Sequence, residues 1–170
     1  MKIRVDRFNL YLLSTLALLL VAGCETTKKK ESATLKFHLE VNPDGSDRSK
    51  PVPIYRASPI YVNVESRPFL DEGHVVEAEV IDDSLGGYMI KVKFDRKGTW
   101  LLEQYSTASR GKRVAIFSQF GEARWLAAPI LSKHIPDGVF TFTPDATREE
   151  AERIIKGLNE VAKKLQKDNV

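Results

Sequence analysis

Two hydrophobic periods divide this sequence, and any fold must satisfy both. From Thr34 to Val41 the side chains alternate. Leu35, Phe37, Leu39 and Val41 lie on one face, and Thr34, Lys36, His38 and Glu40 on the other. That is the pattern of a half-buried strand. From Ala151 to Leu165 the period lengthens. Ala151, Ile154, Ile155, Leu158, Val161, Ala162 and Leu165 recur every three or four residues, the stripe of an amphipathic helix. Thr147-Arg148-Glu149-Glu150 forms a capping box ahead of it, and Thr143-Pro144 offers an earlier start.

Shorter signals fill the interval. Asn42-Pro43-Asp44-Gly45 is a turn, and polar loop runs on to about Lys50. Pro51, Pro53 and Pro59 reduce Ile54-Tyr55-Arg56 to a short edge segment, whereas Ile60 to Val64 is a better strand. Val75 to Ile81 and Tyr88 to Phe94 are strands joined across Gly86-Gly87. Asp95 caps a helix to about Ser109, with Trp100, Leu101, Leu102, Tyr105 and Ala108 as its apolar face and Gly111 beyond its end. Lys112 to Ser118 and Ala123 to Leu131 are strands around a loop, Gln119-Phe120-Gly121-Glu122, and Val139 to Phe142 is a last short strand. Strands, helix, strands, helix, with hairpins between strands, give an α+β fold. We expect a two-layer sandwich, a mostly antiparallel sheet with two helices packed on one face.

The N-terminus has a different character. Lys2, Arg4 and Arg7 precede an apolar run from Leu10 to Val21, too short at about twelve residues to span a bilayer that needs roughly 20. The run ends Val21-Ala22-Gly23-Cys24, which resembles the lipobox of bacterial lipoproteins and holds the single cysteine of the chain. The resemblance implies a signal peptide over 1–23 and a lipid attached at Cys24. Two or three acyl chains would hold the protein on a membrane of the cell envelope, facing the periplasm. Glu25 after the cysteine leans towards the outer membrane. Residues 24–33, polar and without periodicity, read as a flexible tether. Residues 34–68 are a strand and Pro-rich lead-in, 69–166 the main domain and 167–170 a tail.

Within 69–166 the chain resembles the head subdomain of the first periplasmic domain of SecD, from the bacterial preprotein translocase. Tyr88, Ile90, Val92 and Phe94 lead to Asp95 and Gly98, and Leu102 and Ser106 follow at steps of four. Gly111-Lys112-Arg113-Val114-Ala115-Ile116, Ala128-Pro129-Ile130 and Phe142-Thr143-Pro144 follow in the family's order. The longer Gln119 to Glu122 segment, a missing Gly pair after Ala128-Pro129 and an extra turn over 145–150 depart from it. The resemblance implies a SecD periplasmic-head-like fold and a role in handling polypeptide, with no catalytic residues to carry over.

Composition narrows the chemistry. The formal net charge is +3, and the leader supplies two of those charges through Lys2, Arg4 and Arg7 against Asp6. No basic stripe points to nucleic acid. His38, His74 and His134 are isolated, so no metal site is expected. No Gly-x-Ser-x-Gly elbow or Gly-rich phosphate loop is present, so no cofactor and no catalytic group is assigned. Asp71-Glu72 and Asp82-Asp83 read as solvated turns. Phe120 and Trp125 are the candidate partner contacts, Phe120 because an aromatic in a loop marks a contact site. The reading is a membrane-anchored, non-catalytic module that binds polypeptide or an envelope protein, linked to protein export or envelope assembly. An envelope enzyme with a hydrolase-like site drawn from distant residues, or a structural subunit, is the alternative.

Overall fold

The computed structural model describes residues 33–168, so the leader, Cys24 and the tether as far as Ser32 lie outside the described residues, while Ala33, expected as the last tether residue, is buried in the core. Eight strands and two α-helices follow in the order β1 (Thr34–Leu39), β2 (Ser49–Ile54), β3 (Ile60–Glu65), β4 (Val75–Asp82), β5 (Tyr88–Phe94), α1 (Arg96–Ala108), β6 (Val114–Phe120), β7 (Glu122–Ala127), β8 (Val139–Phe142) and α2 (Arg148–Asp168). The fold is α+β and every strand pair is antiparallel. The strands divide among three sheets, ordered β1-β6-β7, β2-β3 and β4-β5-β8.

The two larger sheets share one core. Leu35 and Phe37 of β1 and Val114 and Ile116 of β6 face Ile90, Val92 and Phe94 of β5 and Phe140 and Phe142 of β8. Phe37 ties the sheets together, edge-on to Phe94 at 5.4 Å and to Phe140 at 5.8 Å between ring centroids. Such aromatic contacts add about 0.5–1.5 kcal/mol each beyond the area they bury.

Helix α2 closes this core with Ala151, Ile154, Ile155, Leu158 and Ala162. It starts at Arg148 and not at Pro144, with the Thr147 hydroxyl accepting from the Glu150 N–H. The helix also finishes a sheet edge. The Asn159 side chain accepts from the Ala78 N–H at 2.9 Å and donates to the Ala78 carbonyl at 2.8 Å, in the manner of a neighbouring strand. Among the described residues strand β4 has β5 on one side alone, and Asn159 satisfies the main chain of Ala78 on the other.

The β2–β3 hairpin covers the opposite face of the β1-β6-β7 sheet. Val52, Ile54, Val62 and Val64 pack on Ala115 and Ala128, with Trp125 alongside. Two expectations change here. Strand β2 runs through Pro51 and Pro53 and is longer than an edge segment at Ile54-Tyr55-Arg56. Prolines two residues apart put both missing N–H groups on one edge, away from β3. The polar face of β1 is also not open to water, because the hairpin buries His38 to 5% exposure.

The remaining differences are local. Only Gly98, Leu102 and Ser106 of α1 are buried, and Trp100 is 57% exposed. Residues at steps of four share one helix face, and Trp100 falls off it. Asp95 caps α1 as expected, accepting from the Gly98 N–H at 2.6 Å. The loop expected over 119–122 shrinks to a one-residue turn at Gly121, whose φ of 68° suits glycine. Phe120 and Glu122 pair across it, so Phe120 ends β6 and does not sit in a loop.

Candidate functional site

The two aromatics singled out from the sequence lie on opposite faces of one sheet. Phe120 follows Val114, Ile116 and Ser118 in parity, towards the main core, where it is partly buried against the cluster. Its ring fills the space beside Gly157 of α2, where an added Cβ would stand 3.0 Å from it. Trp125 turns to the hairpin side. It meets His38 and Phe117 edge-on, each at 5.2 Å, and is partly buried. The structure does not bring the two together into one exposed patch.

The histidines do not converge either. His38 Nδ1 lies 2.8 Å from the Glu65 carbonyl and ties β1 to the end of β3. Burial pushes its pKa below 6.5, a push that the Glu65 hydrogen bond opposes and that Lys50 and Lys36 reinforce. His74 faces Asp95 at 3.4 Å, and His134 faces Glu103 at 3.2 Å. Beside that second pair Ser106 is fully buried. Its hydroxyl accepts from the Ile135 N–H and donates to the Glu103 carbonyl, so it braces α1 against the 132–135 segment. Among the described residues, no group of three or more His, Cys, Asp or Glu is placed to hold a metal ion. No helix among them is long and apolar enough to cross a membrane.

Charged contacts fasten the rim. Arg56, in the loop after β2, donates its N–H to Asp145 at 2.8 Å and places its guanidinium 3.4 Å from Glu150. Arg124 of β7 pairs with the same two carboxylates. Tyr88 donates to the Ala146 carbonyl under Arg148, which stacks 5.3 Å from the Tyr88 ring centroid and pairs with Asp82. Burial and then Glu150 push the Tyr88 hydroxyl pKa upwards. These groups join the hairpin loop, β7 and the start of α2, and each cation among them faces a carboxylate.

Among the open sheet edges, that of β8 adjoins an apolar groove. Among the described residues strand β8 pairs with β5 alone, and its other side has no strand neighbour. Residues 129–131 run beside Lys112 to Val114 through main-chain hydrogen bonds and extend the first sheet past β7. Between that extension and β8 lies an open groove of about 170 Å³, lined by Ile130, Leu131, Ile135, Val139, Phe140 and Thr141 among others. Ile130 is 50% exposed at its lip. Bare main chain beside apolar side chains is the chemistry that takes an extended peptide as an added strand. The β2 edge is the reverse, since Pro51 and Pro53 offer no donors. A second apolar surface lies at the hairpin tip, where Tyr61 is 75% exposed near Tyr55 and Ile60. Sequence reasoning missed Ile130 and Thr141, because which edge stays unpaired depends on strand order.

Comparison with known proteins places this geometry. The model of the family described as SecDF, P1 head subdomain, matches residues 49–162. Among solved structures, a SecDF described as a membrane component that enhances protein export superposes with a TM-score of 0.55 at 16% identity, covering 94% of this chain and 71% of that one. SecDF crystallised in a super-membrane-facing form gives a TM-score of 0.57 at 17% identity, covering 91% of this chain and 21% of that one. At such identities the likeness speaks for the fold. Among curated proteins, none matches.

Proposed function

Because the chain belongs to the SecDF P1 head subdomain family, we propose that it is a non-catalytic module that binds extended polypeptide in the course of protein export. The observation that carries this reading is the unpartnered β8 edge beside the Ile130 groove. A segment laid along β8 would gain main-chain hydrogen bonds whatever its sequence, which suits a protein handling many unfolded clients. The groove would add a loose preference for an apolar side chain. Phe120 and Trp125, half-buried, are secondary contact positions in this proposal.

The module works at a membrane, held by a lipid on Cys24 and facing the periplasm, with the outer membrane favoured. The leader and the lipobox-like run before Cys24 support this part of the reading. Replacing Cys24→Ser should release the protein from the membrane fraction and block cleavage of the leader. An unchanged membrane fraction and size would remove the anchor from the account.

Photo-crosslinking in cells tests the binding surface. Probes at Ile130 and Thr141 should capture a broad smear of secretory polypeptides, and probes at Lys50 should not. One dominant folded partner would make the protein an assembly component. No adducts at Ile130 and Thr141 would overturn the β8 edge as the contact.

A further inference from the structure

The exposed side of α2 carries a basic stripe that the binding surface does not use. Arg153, Lys156, Lys163, Lys164 and Lys167 are all exposed. At about 100° per residue they fall within an arc of about 100°. Favourable placement at the negative end of the helix dipole accounts for cations in the last turn. It does not account for Arg153 and Lys156, which stand mid-helix on the same side. Of the acidic residues on the helix, Glu150 and Glu152 stand beside this arc at its start and Asp168 at its end, while Glu149 and Glu160 share the arc with the five cations and leave it a net charge of +3.

The position of the chain's entry gives this stripe a partner. Ala33, the first described residue, is buried against α2, and a Cβ on Gly157 would lie 3.2 Å from its own. Gly157 is four residues past Arg153 and seven before Lys164, so the chain enters along the flank of the stripe. From Cys24 to Ala33 the chain spans at most about 30 Å fully extended. Helix α2 itself, with 21 residues, is about 31 Å long. A lipid on Cys24 would therefore leave the stripe, which begins beside Ala33, within reach of the headgroups.

We propose that the Arg153–Lys167 face of α2 docks on an anionic phospholipid surface, fixing the orientation of the tethered domain. The proposal rests on the reading of Cys24 as the lipid attachment. Lysines on such a face exchange water and counterions for lipid phosphates, an attraction that fades within a Debye length and weakens with salt. Lying flat on α2 leaves the β8 groove, on a different sheet edge, free for polypeptide.

Lysine acetylation rates on the full-length protein, reconstituted into vesicles, test this. One set of vesicles is phosphatidylcholine alone, and the other an equal mixture with phosphatidylglycerol. Lys156, Lys163, Lys164 and Lys167 should label about threefold or more slowly on the anionic vesicles, with Lys50, Lys112 and Lys133 unchanged. High salt should remove the difference. In a variant carrying Lys163→Glu, Lys164→Glu and Lys167→Glu, all exposed positions, protection of Lys156 should be lost. Protein that floats with both vesicles but labels equally overturns the docking face and leaves the anchor standing. Protein that floats only with anionic vesicles, with α2 protected, keeps the docking face and removes the anchor. Protein that floats with neither overturns both.

Discussion

The main core and the β2–β3 hairpin are held by different physics. The main core draws on two sheets, two helices and a cluster of phenylalanines, and its largest members are almost free of solvent. The hairpin buries four aliphatic side chains against two alanines. Polar fastenings do the rest: His38 to the Glu65 carbonyl, Asn63 to the Val41 carbonyl at 3.2 Å, and Arg56 to Asp145. Apolar burial scales with area, so a core this small contributes little on its own. Polar fastenings exchange with water and yield only about 0.5–1.5 kcal/mol each. The hairpin should therefore open locally while the main core stays closed, at a free energy below that of global unfolding.

The sharpest break would come from Phe37→Ala. The side chain is 1% exposed and touches both sheets, so its loss should cost about 3–5 kcal/mol in chemical denaturation and lower protection in both sheets together. A loss confined to β1 would show that the two sheets do not share one core. Next is Asn159→Leu, which leaves the Ala78 N–H and carbonyl without their partner. The expected loss is about 1–3 kcal/mol, with faster hydrogen exchange at Ala78.

Ile54→Val removes one methyl group from the hairpin core. A loss of about 1 kcal/mol should be visible as faster exchange in β2 and β3 with β5 unaffected. Equal loosening of β5 would mean that the hairpin does not open separately. Acid should act in the same place. His38 has its pKa pushed below 6.5 by burial, so the open hairpin binds a proton more readily than the docked one. Docking is then at full strength above pH 6.5 and weakens as the pH falls below it. Trp125, 5.2 Å from His38, should report this as a fluorescence change that a His38→Asn variant lacks. The smallest effect belongs to Arg56→Ala. Its side chain is exposed, so the loss should stay below about 1 kcal/mol in thermal unfolding.

Local signals determined much of this protein. The alternation around Phe37, the Gly86 turn, the Asp95 cap and the stripe on α2 each act within a few residues of the chain. Backbone sterics and hydrophobic period decide such features wherever the segment ends up. They also placed β4, β5, β8 and both helices close to their observed limits. The order of motifs from Tyr88 to Pro144 carried the likeness to the SecD head.

Tertiary structure alone decided what covers what. His38 stands on the polar side of its strand by every local rule, and it is buried because a hairpin brings Val52, Ile54, Val62 and Val64 over it. Phe120 and Trp125 stand five residues apart in sequence, yet β6 and β7 turn them to opposite faces of one sheet. Asn159 caps Ala78 on the β4 edge from 81 residues away, and among the described residues β8 is left with no strand beyond it. A chain's own periodicity says which side of a strand is apolar. Only the packing of distant elements says which edges stay open, and the proposed function lives on such an edge.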